Sequence, residues 1–166
     1  AGLKNVSQSK PIWVTESGNL KSEDTGMSDA EQYVKWITRG FNEGGMTAYM
    51  THLLIEEHDE DDDEPGNDSS ALVLWEIDSN GNNVMLLPKR YYVYKHFSTL
   101  SGKNYVRISN EFSGNSNNFL FSSFISHEND EIVLHVFNQS SSTKTLNLNI
   151  PSNVKSIKYY VTDNNN

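Results

Sequence analysis

Hydrophobic and polar positions follow a strand–helix–strand order in the first part of the chain. Residues 11–16 form an apolar run rich in β-branched and aromatic side chains, which predicts a short strand. Apolar side chains then recur at four-residue spacing, which predicts a helix of about 15 residues. This helix is predicted to begin at Ser28, with Glu31 completing a capping box, and to end at the glycines 44–45. The apolar run 46–55 completes the unit, which implies two neighbouring parallel strands.

A further strand and helix follow before the pattern changes. Residues 71–78 again have strand character and end in a turn signal at 78–81. A helix is predicted to begin at Pro88, since proline is favoured at the first helical position, and to end at Gly102. The chain is therefore α/β up to about this point.

Beyond residue 104 the chain consists of short alternating runs separated by polar turns. These runs cover residues 105–108, 119–125, 131–137, 145–150 and 157–161. Short strands at regular spacing are typical of an antiparallel sandwich. In the fourth run Leu146, Leu148 and Ile150 alternate with asparagines, so one face is predicted to be buried and the other solvated. The chain is expected to divide into an α/β part, 1–102, and an all-β part, 103–166.

Composition narrows the classes of function. The 166 residues carry a formal net charge of −9 at pH 7, which disfavours nucleic acid and anionic membranes because both would repel the chain. This charge is compatible with a neutral partner such as a polysaccharide. No apolar run approaches the roughly 20 residues of a membrane span, and no signal peptide is expected in these residues. Cysteine is absent, which excludes disulfides, thiolate nucleophiles and cysteine-based zinc sites.

The strongest anomaly in composition is an acidic segment. Eight of the eleven residues at 56–66 are aspartate or glutamate. Oxygen-rich loops suit calcium, whereas a run of like charges is typical of a mobile, self-repelling loop. The spacing of an EF-hand is absent, so the loop interpretation is favoured and no metal site is predicted.

A single carboxylate ends the first predicted strand. Glutamate is a poor strand residue, so the place of Glu16 between this strand and the Ser-Gly pair 17–18 suggests a functional role. In a barrel of parallel strands the C-terminal strand ends face the active site, and a glutamate there would point at a substrate. The alternative is an ordinary strand that ends at a solvated glutamate.

Two motifs resemble a known enzyme family. Residues 10–16, Lys-Pro-Ile-Trp-Val-Thr-Glu, look like the seventh-strand motif of the clan of retaining glycoside hydrolases built on TIM barrels. Residues 89–98, followed by Tyr-Val-Arg-Ile at 105–108, resemble the last barrel helix and the start of the appended β-sandwich in glycoside hydrolase family 30. Because a complete barrel needs about 250 residues, the resemblance implies the C-terminal portion of a (β/α)8 barrel followed by an antiparallel β-sandwich domain.

The resemblance also implies a mechanism. Glu16 matches the catalytic nucleophile, which forms a glycosyl-enzyme intermediate with the substrate. The acid/base of these families lies on the fourth strand, which would be upstream of Ala1. The parent protein is thus expected to hydrolyse a β-linked polysaccharide or oligosaccharide, without a cofactor and outside the cytoplasm (secreted or periplasmic). The chain alone, which lacks the N-terminal part of the barrel, is expected to be inactive.

Three other side chains are candidates for substrate contact. Family members often have a sugar-stacking tryptophan at the end of the eighth strand, where this chain has Tyr-Met-Thr-His at 49–52. His52 can hydrogen-bond a sugar hydroxyl instead, or serve a structural role. Tyr49 belongs to the same run. Trp75 can stack on a sugar ring or lie in the core, whereas Trp13 and Trp36 are expected in the core. Two other functions stay open: a glycosidase of another family in the clan, such as one acting on algal galactans, and a non-catalytic carbohydrate-binding or structural module.

Overall fold

The computed structural model describes residues 10–19, 24–57, 70–114, 116–163 and 165. Its elements are β1 (Trp13–Val14), α1 (Met27–Arg39), a π-helical turn (Gly40–Gly44), β2 (Ala48–Tyr49), β3 (Ile55–Glu57), β4 (Val73–Ile77), β5 (Asn83–Leu86), α2 (Lys89–Leu100), β6 (Tyr105–Ile108), β7 (Phe119–Ser126) and β8 (Ile132–Asn138). The strands form three small sheets, with orders β1–β2, β3–β4–β5 and β6–β7–β8. In the described ranges no helix is both long enough and apolar enough to span a membrane.

The predicted parallel strand–helix–strand unit is confirmed. β1 and β2 pair in parallel, with Trp13 opposite Ala48 and Val14 opposite Tyr49. The side chains that alternate with Trp13 on β1 pack against the buried core under α1. Trp13 therefore points away from that core, and 61% of its surface is exposed. The prediction that Trp13 is a core residue is wrong, because β1 is covered by a helix on one face only; Trp36 does pack against the core.

Helix α1 provides the centre of the core. Its N-cap is Gly26, without a side-chain cap hydrogen bond, so the predicted capping box at Ser28 is wrong. Asp29 in the first turn is buried and paired with Arg90 instead. The predicted end is confirmed, since Gly45 closes the π-helical turn with a left-handed φ of 67°. The buried apolar cluster around α1 consists of Ala30, Tyr33, Val34, Ile37, Met46 and Val93.

The second predicted strand is divided into two. Its middle forms β2, and its end forms β3, which pairs in parallel with β4 in a different sheet. β4 confirms the predicted strand at 71–78, and it also pairs antiparallel with β5, which was not predicted. The predicted turn joins them: the Gly81 N–H donates to the Asp78 carbonyl at 2.9 Å. Hydrogen bonds from Asn82 and Asn80 lower the pKa of the exposed Asp78 carboxyl.

Helix α2 packs across α1 and reaches the last sheet. Pro88 is its N-cap rather than its first helical residue. Its side chains contact both neighbours: the Tyr94 ring lies 5.8 Å from the Tyr33 ring of α1, and Phe97 stacks on His135 of β8 with 4.2 Å between ring centroids. The two helices therefore hold the β6–β7–β8 sheet against the β1–β2 unit.

The all-β part contains a three-stranded antiparallel sheet. β6, β7 and β8 confirm the first three predicted strands in this region. The predicted strands at 145–150 and 157–161 are wrong, since the described residues there form no strand. Leu148 and Ile150, which were expected to face a core, are 52% and 44% exposed. Alternation decides which face of a strand is apolar, but the strand forms only when another strand is available to pair with it.

Candidate functional site

Glu16 lies just beyond β1, at the C-terminal edge of the parallel β1–β2 pair. Its side chain is 71% exposed, and the backbone after it is tied to the end of β2. The His52 N–H donates to the Ser17 carbonyl at 2.8 Å, while the Ser17 hydroxyl donates to the Met50 carbonyl at 3.2 Å. The Thr51 hydroxyl also donates to the Ser17 carbonyl at 3.2 Å. An accessible carboxylate is thus carried on an anchored backbone.

His52 is the predicted site residue that the structure brings to Glu16. Its Nε2 lies 3.9 Å from Glu16 Oε1, and 39% of its side chain is exposed. The His52 carbonyl accepts a hydrogen bond from the Ser70 hydroxyl at 3.0 Å, and the His52–Leu53 peptide bond is cis. The backbone of His52 is therefore fixed from both sides, by Ser17 and by Ser70.

The loop that leaves Glu16 is held by a buried polar cluster. The Asn19 side chain donates to Asp29 Oδ1 at 2.9 Å, and Arg90 Nη1 donates to Asp29 Oδ2 at 2.8 Å. Arg90 Nε donates to the Ala71 carbonyl at 2.7 Å, and Nη1 also donates to the Asp24 carbonyl at 3.1 Å. This cluster joins the loop after β1, the start of α1, the approach to β4 and the start of α2. Sequence reasoning missed it; the available signal was one arginine in a helix otherwise rich in aromatic residues.

Tyr33 supports the loop after β1 from the core side. Its hydroxyl accepts the Asn19 backbone N–H at 3.1 Å and donates to the Ser70 carbonyl at 3.3 Å. Burial raises the pKa of the Tyr33 phenol, so it remains a neutral donor at physiological pH. The segments on both sides of the Glu16 edge are therefore anchored to one core side chain.

Tyr49 and Trp75 have different positions from His52. Tyr49 packs against the core, its ring 6.0 Å from that of Tyr94, and burial raises the pKa of its phenol. Trp75 lies in β4 opposite Met85 of β5, on a sheet face where Met85 is exposed. The Leu72 N–H donates to the Leu53 carbonyl at 3.1 Å, which fixes this sheet to the segment that follows His52. The geometry thus gives Tyr49 a packing role and leaves Trp75 partly accessible.

The acidic segment contributes little to the described site. Glu56 and Glu57 lie in β3, whereas residues 58–69, where most of the predicted mobile acidic loop falls, are outside the described residues. Within the described ranges, no three histidine or carboxylate side chains are grouped so that they could hold a metal ion.

Gly18 is expected to tolerate no side chain. A Cβ at this position would lie 2.7 Å from the His52 carbonyl oxygen, which accepts a hydrogen bond from the Ser70 hydroxyl. We expect Gly18→Ala to lower the free energy of unfolding by about 1–2 kcal/mol, because the backbone would have to move apart. Urea denaturation followed by circular dichroism measures this change.

Gly44→Ala is the matched control for that substitution. A Cβ at Gly44 would meet only the Arg39 carbonyl oxygen at 3.9 Å, which is an ordinary contact. Equal stability changes for the two variants would show that the close approach of Gly18 to His52 is not a constraint on this edge.

Comparisons with known proteins were consistent at the level of fold. No family model and no curated protein match the sequence. The match to the glycoside hydrolase family 30 subfamily 8 xylanase of Clostridium acetobutylicum covers 84% of this chain and 29% of the xylanase chain, with a TM-score of 0.57 and 24% identity. An endo-β1,6-glucanase matches 82% of this chain and 31% of its own, with a TM-score of 0.63 and 18% identity. The catalytic domain of the family 30 xylanase C of Talaromyces cellulolyticus matches 78% of this chain and 28% of its own, with a TM-score of 0.58 and 17% identity.

These structures belong to the class of glycoside hydrolases. The resemblance of this chain to glycoside hydrolase family 30 is therefore confirmed in its fold. The chain spans 28–31% of the length of the three structures that it matches.

Proposed function

We propose that this chain is the C-terminal part of a retaining glycoside hydrolase that acts on a β-linked polysaccharide or oligosaccharide, with Glu16 as its nucleophile. The observation that carries the proposal is the exposed Glu16 carboxylate at the C-terminal edge of a parallel strand pair, on a backbone anchored to the next strand. The fold likeness to family 30 structures supports it. Residues 1–102 would then be the end of the barrel and residues 103–166 part of the appended β-sandwich.

Glu16 would act by covalent catalysis. A carboxylate oxygen of Glu16 attacks the anomeric carbon, the bond from that carbon to the leaving-group oxygen breaks, and a separate carboxylic acid gives its proton to the leaving oxygen. Water then attacks the same carbon, returns a proton to the acid/base and releases Glu16. The two carboxyl groups need a separation of about 5–5.5 Å. We assign the acid/base to the part of the parent barrel that precedes this chain.

The remaining candidates would have different roles around Glu16, and Trp75 is the one proposed to contact the sugar. His52 borders Glu16 and is accessible, and Trp75 is partly accessible on the neighbouring sheet. Tyr49 would support the strand end from the core side. No cofactor is needed for this chemistry, and the parent hydrolase would act outside the cytoplasm, where polysaccharide substrates are found.

The decisive test is covalent trapping in the longer protein that carries this chain. A 2-deoxy-2-fluoro β-glycoside with an activated leaving group forms the intermediate without help from the acid/base, and its breakdown is slow. Intact mass spectrometry should show one added glycosyl group, and peptide mapping should place it on Glu16. The label should be absent from the Glu16→Gln variant.

The isolated 166-residue chain provides the comparison. It is expected to hydrolyse no β-glycoside, because it carries one carboxylate of the pair. Labelling of another carboxylate in the longer protein would refute the role of Glu16. Hydrolysis by the isolated chain that Glu16→Gln abolishes would refute the assignment of the acid/base to a preceding segment.

A further inference from the structure

The backbone brings Glu16 and His52 to the same edge of the strand pair. Glu16 precedes Ser17, and the Ser17 carbonyl accepts the His52 N–H at 2.8 Å. The two side chains therefore leave adjacent chain segments at the same edge. With 3.9 Å between His52 Nε2 and Glu16 Oε1, the gap exceeds a hydrogen bond by about 1 Å. Rotation of the exposed Glu16 side chain can close it.

The two ring nitrogens of His52 have different surroundings. Nδ1 is buried, and no described residue offers it a hydrogen bond, whereas Nε2 borders the Glu16 carboxylate. A neutral imidazole carries its proton on one nitrogen, and the hydrogen bond available decides which one. A proton on Nε2 faces an anion, whereas a proton on Nδ1 would be a buried donor without a described acceptor. The surroundings therefore select the tautomer with the proton on Nε2.

We propose that His52 is a positioning residue for Glu16, which donates its Nε2–H to the carboxylate and holds it in the orientation needed for attack. The catalytic part of this inference rests on the proposed function, while the tautomer and the contact can be tested without it. An exposed glutamate samples several rotamers, whereas attack on the anomeric carbon requires the one rotamer that directs the carboxylate oxygen at that carbon. Because the histidine backbone is fixed by Ser17 and Ser70, His52 provides a stationary donor for that selection.

The contact can be measured on the 166-residue chain. Long-range ¹H–¹⁵N correlation spectra distinguish the two nitrogens of a neutral histidine. We expect the Nε2–H tautomer at His52, and a shift of both ¹⁵N resonances in Glu16→Met, which removes the acceptor. Glu43→Met, at an exposed position in the π-helical turn, is the matched control and should leave them unchanged. A dominant Nδ1–H tautomer, or resonances that Glu16→Met does not move, would overturn the contact.

Catalytic positioning is measured in the longer hydrolase by two substitutions at His52. The amide nitrogen of glutamine reaches about as far as Nε2, whereas that of asparagine reaches only as far as Nδ1. We expect His52→Asn to lower kcat on the order of 10²-fold with little change in KM, and His52→Gln to restore most of the loss. Circular dichroism of both variants checks that they fold alike.

The outcomes separate the inference from the proposed function. A rise in KM with kcat unchanged would assign His52 to substrate binding and overturn the positioning role. Equal losses of kcat in both variants would also overturn it, because the reach of the donor would not matter. Unchanged hydrolysis in Glu16→Gln would refute the proposed function alone, since the resonances of His52 report the contact independently of activity.

Discussion

Arg90→Met is expected to lower the free energy of unfolding by about 3–5 kcal/mol, the range found when one partner of a buried ion pair is removed. The Arg90 and Asp29 side chains are both fully buried, with 2.8 Å between Nη1 and Oδ2. Methionine fills similar space but leaves the Asp29 carboxylate buried without its cation. It also removes the donors to the Ala71 and Asp24 carbonyls. Because folded domains are stable by only about 5–15 kcal/mol, this loss would be a large share of the total.

The exposed pair on α1 supplies the control. Lys35 and Glu31 are four residues apart with 2.6 Å between charged atoms, and both side chains are about 30% exposed. Lys35→Met should cost less than about 0.5 kcal/mol, because water screens this pair. Urea denaturation of the two variants and of the unsubstituted 166-residue chain measures both changes. Equal costs would show that burial of the Arg90–Asp29 pair does not determine its contribution.

Acidification from pH 6.5 to pH 4 is expected to destabilise the chain through His135. Burial lowers the pKa of His135 from its usual 6.5 to about 4, with a smaller contribution from His96. The ring stacks on Phe97 and its Nε2 lies 2.7 Å from the Ser101 hydroxyl. Between these pH values the unfolded chain binds a proton that the folded chain does not, so stability falls as pH falls. Above pH 6.5 His135 is neutral in both states and the folded chain keeps its full stability. Between pH 6.5 and about pH 4 the free energy of unfolding falls by about 3 kcal/mol at most, because the unfolded chain alone gains the proton.

His135→Gln tests the origin of this slope. Glutamine does not titrate and retains a side-chain amide near Ser101. The free energy of unfolding of this variant should therefore change less between pH 6.5 and pH 4 than that of the unsubstituted chain. Part of the slope should remain, because burial and the nearby Lys95 also lower the pKa of His96. His127→Gln, at an exposed position, is the control and should keep the parent slope. Urea denaturation curves at several pH values measure how the free energy of unfolding depends on pH. An unchanged pH dependence in His135→Gln would contradict the assignment to His135.

Most helices and strands of this chain could be predicted from local pattern. The helix α1 and the strands β4 and β7 follow from periodicities that neighbouring residues carry by themselves. The predictions that were wrong depended on partners. Asp29 belongs to a buried ion pair rather than to a helix cap, and the stretch 145–150 alternates but has no strand beside it in the described structure.

The candidate site was predicted in the same uneven way. Glu16 was identified by its place at the end of a strand and by a family resemblance, and His52 by its position in the next apolar run. Nothing in the sequence indicated that the two side chains meet, because their contact depends on the bond between Ser17 and His52 backbones. Tyr49 belongs to the same run as His52, yet its side chain packs against the core. Residues a few positions apart on one run can thus face opposite environments.

The sequence by itself determined helices α1 and α2, most of the strands, the parallel β1–β2 pair and the carboxylate at its edge, since periodicity, turn residues and glycine conformations act over a few positions. Only the tertiary structure decided the Arg90–Asp29 anchor, the exposure of Trp13 and the His52–Glu16 contact. Each of these depends on which distant segments pack together, because packing sets both the burial of a side chain and its distance from other charges. Arg90 and Asp29, for example, are 61 positions apart in the chain. Local preferences cannot specify which distant side chains share a desolvated site.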